Sequence, residues 1–434
     1  MSEISTSLNA QPSKGSMVKT VSAATIGNAL EWYDYGLYGF FAPIIATQYF
    51  TSKDPLTNLL LTFIIFGVGF CLRPLGGIVF GSMADRHGRR ATLSLTVLLM
   101  GISTFALGVI PTYAQIGIAA PILIAVCRLS QGLATGGEFG SCNAMLCETA
   151  KPQNRAYIMS FSTASLAIGL LAGSFSGTLL ASILSKEALN AWGWRIPFLF
   201  GIVIAIYGRY LRKGIEESSV FQKAVNEKAI VESPFKEVVT NNKRELLIVF
   251  CMVVGTSVAY WIINSYMTTY LSQVMNLPIA TALKLNTFML ILFIIALPIF
   301  AKMVDKIGHK PMAFASFGGL LISYYPAFYI MTHTNSFGVI VAVLMYLALL
   351  NSAVTSVCIP MYTEAFPTKV RATGYGISYN FGQALFGGMA PFIATWLIKY
   401  TNNPMSLTIY LILTMLVAVI ALFFVRETKG QEII

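Results

Sequence analysis

From Val21 to Val425 the chain alternates long apolar runs with short polar stretches. Runs of helix-compatible length fall at 21–48, 57–82, 91–110, 117–147, 156–184 and 195–211. A second set falls at 246–274, 282–302, 312–332, 336–360, 373–399 and 405–425. A hydrocarbon layer about 30 Å thick needs about 20 such residues per crossing. A transmembrane β-barrel would instead show alternating segments of about 10 residues, and none is visible. The pattern predicts an all-α integral membrane protein with twelve transmembrane helices. They fall into a six-helix bundle over 21–212 and a second over 245–426, joined by a linker over 213–244. Polar tails at 1–20 and 427–434 complete the division, the first read as disordered.

Composition agrees. Hydrophobic residues make up 56% of the chain and charged residues 11%, against about 25% charged in a soluble domain. The polar start lacks the basic region, short apolar stretch and cleavage site of a signal peptide, so the first helix is expected to stay in the protein. The 213–244 stretch is the most charged and is expected to hold a short amphipathic helix. Of the 29 Lys and Arg, 22 lie in the tails, the linker and the loops on that same side, and five lie opposite. This asymmetry places both termini in the cytoplasm. It also accounts for the net charge of +11 as membrane topology, so no nucleic-acid partner is expected. Cys71, Cys127, Cys142, Cys147, Cys251 and Cys358 all sit in apolar runs without a CxxC pair, as small buried hydrophobes do. No metal site is expected.

The two sets of runs repeat. Asp85-Arg86-His87-Gly88-Arg89-Arg90 follows the second run, and Asp305-Lys306-Ile307-Gly308-His309-Lys310 follows the eighth. Glu148 and Arg155 close the fourth run and open the fifth; Glu364 and Arg371 stand likewise after the tenth. Duplicated halves are how many secondary transporters are built.

The Asp85–Arg90 loop resembles the cytoplasmic signature of the major facilitator superfamily. Arg128-Leu-Ser-Gln131-Gly132 in the fourth run resembles its Arg-x-x-Gln-Gly pattern, linked there to proton coupling. Gly27-Asn28-Ala-Leu-Glu31-Trp32-Tyr33-Asp34 and Arg73-Pro74-Leu-Gly76-Gly77 are similar to the metabolite:proton symporter group that contains proline/betaine transporters. The resemblance implies six-helix halves rocking about a central site, and a bacterial inner-membrane location. Two departures stand out. The sequence ends soon after Glu427-Thr-Lys-Gly430, without the helical tail of some osmosensing members. Gly169, Gly173 and Gly177 in the fifth run lack the Gly-Pro pair of drug antiporters and suit close helix packing.

Ionisable residues at membrane depth are costly and point to function. Glu31 lies twelve residues beyond Lys19, about 18 Å along a helix, and Asp34 shares its face one turn on. No His lies within a run, so a carboxylate must carry any proton. Asp34 or Glu31 is the expected acceptor, with Arg128 as electrostatic partner. Glu138 is either proton-linked or a packing partner. Substrate contacts are expected from Trp32, Tyr35, Arg73 and Gln131, with Arg73 alternatively anchoring the second helix. In the second half, aromatic Tyr260, Trp261, Tyr266, Tyr270, Tyr324, Tyr325, Tyr346 and Tyr379 accompany neutral Asn264, Asn380 and Gln383. A charged half and an aromatic half suit a zwitterion, since aromatic faces attract ammonium groups and Arg attracts carboxylate. Gating is expected from Asp85, Arg86, Gly88, Arg89, Arg90, Asp305 and Lys306. Arg89 and Arg90 would pair with acids of the opposite half, while Glu148/Arg155 and Glu364/Arg371 would form matching latches.

The sequence thus predicts a monomeric, proton-coupled symporter of a small zwitterion such as proline, betaine or another amino acid, with the bilayer as its environment and no cofactor beyond the proton. A carboxylate:proton symporter, a uniporter or antiporter, and a transporter-like nutrient sensor are the alternatives. A membrane enzyme would need a nucleophile/base cluster that is absent.

Overall fold

The computed structural model describes residues 14–53, 55–213, 217–227 and 231–432. Among them the regular structure is helical, and twelve long helices carry the labels α1 to α12. They are α1 (Lys14–Tyr49), α2 (Pro55–Cys71 and Arg73–His87), α3 (Arg89–Val109), α4 (Ala119–Thr149), α5 (Arg155–Ile183) and α6 (Gly193–Lys213). The series continues with α7 (Lys243–Val274), α8 (Ile279–Ile307), α9 (His309–His333), α10 (Phe337–Glu364), α11 (Thr368–Thr401) and α12 (Ser406–Phe424). The predicted runs match them to within a few residues at most ends. The clearest correction is at the start: Lys14–Thr20, read as disordered tail, is already helical, and the rest of that tail lies outside the described residues. The linker holds two short helices, Ser219–Asn226 and Pro234–Asn241, where one was expected.

Eleven helices among the described residues are long and apolar enough to cross a bilayer; α1 is long enough but too polar to count among them. Its Asn28, Glu31 and Asp34 are all buried. Large apolar side chains such as Ile64, Ile168, Phe175 and Ile322 cover the outside instead, a surface suited to lipid. Three thiols, those of Cys142, Cys147 and Cys358, are buried as expected, but Cys71 is exposed.

The chain forms two compact units. One comprises the chain through Thr149 with Phe161–Glu237 and Thr368–Gly376; the other comprises Ala150–Ser160, Val238–Pro367 and Ile377 onward. The units therefore depart from the sequence halves at two places. The start of α5 packs with the second unit and the start of α11 with the first.

Proline breaks α2 at Leu72, because Pro74 lacks the N–H of a continuing helix and its ring crowds the carbonyl four residues back. On both sides of the break α2 runs against α4 in backbone contact. A Cβ on Gly132 would strike the Gly69 carbonyl, one on Gly76 the Leu133 carbonyl, and one on Gly136 the Arg73 carbonyl. On α5, Gly169 and Gly173 meet the Ala29 and Tyr33 carbonyls of α1 in the same way. With lipid outside, such close small-residue packing is a main source of helix association. In the second unit, α7 widens to i→i+5 bonding at Ile262–Tyr266 and Tyr270–Val274, and α11 at Gln383–Gly387. Such segments are frequent at functional sites.

Gly136→Val should therefore destabilise the first unit by about 1–3 kcal/mol or more, read as a lowered unfolding temperature in detergent. Gly67→Ala, where an added methyl meets nothing within 4 Å, should leave it unchanged or raise it slightly.

Candidate functional site

Three buried carboxylate–arginine pairs lie within the membrane-spanning part of the first unit. Asp34 on α1 pairs with Arg128 on α4, whose guanidinium lies 3.9 Å over the Tyr38 ring. Gln131 joins them: its amide donates to Asp34 at 3.1 Å and to the Thr104 hydroxyl at 3.0 Å, and its oxygen accepts from Arg128 at 2.9 Å. The expected pairing of Asp34 with Arg128 is present. Gln131, expected to meet substrate, here orients the Asp34 carboxylate. The Nε and Nη2 of Arg128 have no partner among the described residues.

Glu31 does not share Arg128. It pairs with Arg73, which also donates to the Tyr35 hydroxyl and lies 4.4 Å over the Phe70 ring. Arg73 is thus not a solvated anchor: it lies inward at the break at Leu72, 4% exposed. Trp32 packs edge-on against Tyr35 at 5.7 Å.

Glu138 is a helix-pairing residue. Arg212 binds it at 2.5 Å and also donates to the carbonyls of Ala23 and Leu93; the Thr96 hydroxyl completes the set. Sequence reasoning missed Arg212 because a basic residue at a helix end reads as ordinary positive-side charge. Its 0% exposure gives it away.

The aromatic half is more divided. The Trp261 indole donates to Gln383 at 3.0 Å, and Gln383 donates to the Tyr379 hydroxyl at 2.9 Å. Tyr260 sets its ring edge on Phe293 of α8 at 5.9 Å. Asn264 and Asn380 are buried. Tyr325 and Tyr346, by contrast, are about half exposed.

At the helix ends, the carboxylates do more than the loop motif suggested. Asp85 accepts from the backbone N–H of Ala372 and Thr373 at 3.2 and 2.8 Å and from the Thr373 hydroxyl at 2.6 Å, capping the helix that begins at Arg371. Its repeat counterpart Asp305 accepts from the N–H of Ala156 and Tyr157 at 2.9 and 3.0 Å, near the start of α5. A carboxylate at a helix N-terminus satisfies orphan donors and meets the positive end of the dipole.

The expected latches exchange partners. Glu148 accepts from Arg371 and Arg89, both at 2.9 Å, and from Ser218 at 2.5 Å. Glu364 accepts from Arg155 at 3.0 Å. Glu148 therefore does not hold Arg155, nor Glu364 Arg371, because Thr368–Gly376 belongs to the compact unit of Glu148 and Ala150–Ser160 to that of Glu364. Arg89 pairs with acids of its own half, Asp85 and Glu148, and reaches only the Thr368 carbonyl beyond it. The Arg90 guanidinium donates to the Lys213 carbonyl at 2.6 Å. Arg86 and Lys306 are exposed. Gly88 and Gly308 hold φ of +102° and +117°, a region that favours glycine.

A further repeat was not foreseen. Glu217 accepts from the Arg90 N–H at 3.1 Å, and Glu427 accepts from the His309 and Lys310 N–H at 3.0 and 2.8 Å. Each caps the helix after the glycine, from the segment following the sixth helix of its half. Partial burial pushes the Glu427 carboxyl up, but the His309 ring and the Lys310, His309 and Lys429 N–H groups outweigh it and hold it at about 2. A lowered folded-state pKa means the unfolded chain binds the proton more readily. The stabilisation from Glu427 is thus fully present above about 4.5 and is lost as pH falls towards 2. The difference in unfolding temperature between the wild type and Glu427→Gln should be constant from pH 8 to 5 and shrink below pH 4.5.

The chain matches known proteins over nearly its whole length. The profile of the Major Facilitator Superfamily covers residues 24–295, and that of "Sugar (and other) transporter" covers 216–434. The proline/betaine transporter of Salmonella typhimurium is 31% identical over 428 residues, 96% of this chain and 85% of that protein. The glycine betaine/proline/ectoine/pipecolic acid transporter OusA of Dickeya dadantii is 29% identical over the same shares. The proton:xylose symporter XylE superposes with a TM-score of 0.79 at 19% identity, over 96% of this chain and 98% of that one. Profile, relatives and the repeated twelve-helix architecture agree: the chain is a multi-pass membrane transporter of a small molecule and belongs to the major facilitator superfamily.

Proposed function

We propose that this transporter carries out proton-coupled symport of a small zwitterion, such as proline, betaine or another amino acid, by alternating access. The observation that carries the reading is the Asp34–Arg128–Gln131 cluster. It puts one carboxylate and one arginine in mutual contact, buried from water, and leaves part of the guanidinium without a protein partner. Deprotonated Asp34 occupies Arg128. Protonation neutralises that carboxylate and frees Arg128 for an incoming substrate carboxylate, which restores the charge balance. Proton and substrate then favour each other's binding, which is the thermodynamic requirement of symport. Glu31 with Arg73 and Tyr35 offers a second group of the same kind.

The caps made by Asp85 and Asp305, with the hubs at Glu148 and Glu364, fix helix starts in one access state and would release them in another. The names of the relatives support the zwitterion, and the name of the xylose symporter supports the proton. We place the protein in the bacterial inner membrane with both termini cytoplasmic, on the Lys and Arg asymmetry. A carboxylate:proton symporter is the second reading, because Arg73 and Arg128 could take both ends of a dicarboxylate.

Proteoliposomes containing the wild type should accumulate labelled proline or glycine betaine under an inward proton gradient, and an uncoupler should collapse the accumulation. Asp34→Asn should retain counterflow exchange but lose proton-driven accumulation by roughly 5- to 150-fold, the usual span of a coupling free energy. Undiminished accumulation would remove Asp34 from the mechanism. Uptake of dicarboxylates alone would replace the zwitterion with the second reading.

A further inference from the structure

Within the second unit, a groove of about 460 Å³ lies between the start of α7 and α11. Val239, Leu247, Phe250, Phe381 and Leu385 line it, and apart from Lys243 and Ser378 every lining residue is apolar. Leu247 and Leu385 are 63% and 57% exposed, so the groove is open rather than enclosed. Lys243 to Phe250 spans about 10 Å of α7, and Ile377 to Leu385 about 12 Å of α11. Phe250 meets the Phe386 ring edge-on at 6.1 Å, so the two stretches run side by side. Their length is most of one leaflet of a hydrocarbon layer about 30 Å thick.

Lys243 stands at one end. It is exposed, and its ammonium has no hydrogen bond or ion pair among the described residues. In the same turn Arg244 donates to the Phe424 carbonyl at 3.1 Å, and Glu245 does not pair with Lys243. Asn242, at the N-cap, makes no side-chain cap. An anion at this end therefore meets an unpaired ammonium and the positive end of the helix dipole. Inside a bilayer the apolar lining alone gives no preference, since lipid tails are as apolar as leucine. Any preference has to come from the charge at the mouth.

We propose that this groove is a binding site for one anionic phospholipid, with an acyl chain along Leu247, Phe250 and Leu385 and the phosphate on Lys243. Leu385 belongs to the widened turn Gln383–Gly387, so the bound chain lies against irregular backbone of α11. Neither proton nor substrate takes part, and the inference stands apart from the symport reading.

The test titrates the delipidated full-length protein in detergent with phosphatidylglycerol or phosphatidylcholine of the same acyl chains. The unfolding temperature is read as each lipid is added, because a ligand of the folded state raises it. Phosphatidylglycerol should reach half its effect at about a fivefold lower concentration, the contribution of one lysine at an anionic surface. High salt should narrow that ratio. Lys243→Gln should abolish it, and Lys243→Arg, which keeps the charge, should restore it. Leu385→Ser should weaken both lipids alike and leave the ratio standing. Lys151→Gln, at an exposed lysine outside the groove, should change nothing. Equal wild-type response to the two lipids, or none to either, would overturn the site and leave ordinary solvating lipid in the groove. A loss in Lys151→Gln as large as in Lys243→Gln would overturn it in favour of diffuse surface charge. Reproduction of the shift by inorganic phosphate alone would show that the groove takes no part.

Discussion

A charge placed in hydrocarbon must be paired inside the protein, and much of the first unit follows from that constraint. Three arginine–carboxylate pairs lie buried within the membrane-spanning parts of α1, α2, α4 and α6. Removing one member of such a pair strands the other, typically at about 3–5 kcal/mol. The pairs therefore tie α1 to α2, α1 to α4 and α4 to α6. They also explain why α1 is too polar to read as an ordinary span yet sits inside the bundle.

The helix ends obey a related rule. Orphan N–H groups at a buried helix start need acceptors, and this fold supplies carboxylates to four of them: Asp85, Asp305, Glu217 and Glu427. The set is duplicated with the sequence. Two of its members hold segments that pack away from the rest of their own helix, so a cap here also decides to which compact unit a helix start belongs. That makes Asp85 and Asp305 different in kind from surface caps. Each is the attachment point of a segment rather than the finish of one.

What could be read in advance was depth; what could not was azimuth. The apolar runs located nearly every helix end, and the spacing from Lys19 put Glu31 and Asp34 inside the membrane. Spacing along one helix does not reveal which neighbour it faces. Glu31 was therefore not separated from Arg128, and Glu148 and Glu364 were assigned arginines seven residues on rather than those they hold. Arg212 and Glu427 escaped notice because charged residues at the ends of runs are so often solvated anchors. Tyr325 and Tyr346 pose the opposite ambiguity, since an aromatic residue in a span satisfies lipid and interior equally well.

The glycine contacts between α2 and α4, and between α1 and α5, fix where this molecule can be compliant. Helices that touch carbonyl to Cα have no side-chain layer to shear, so those pairs behave as struts. Deformation is left to places where the backbone ladder is already irregular: the interruption of α2 at Leu72 and the widened turns of α7 and α11. Stiffness is thus distributed unevenly along the chain, with rigid beams in the first unit and built-in joints beside Arg73, Asn264 and Gln383.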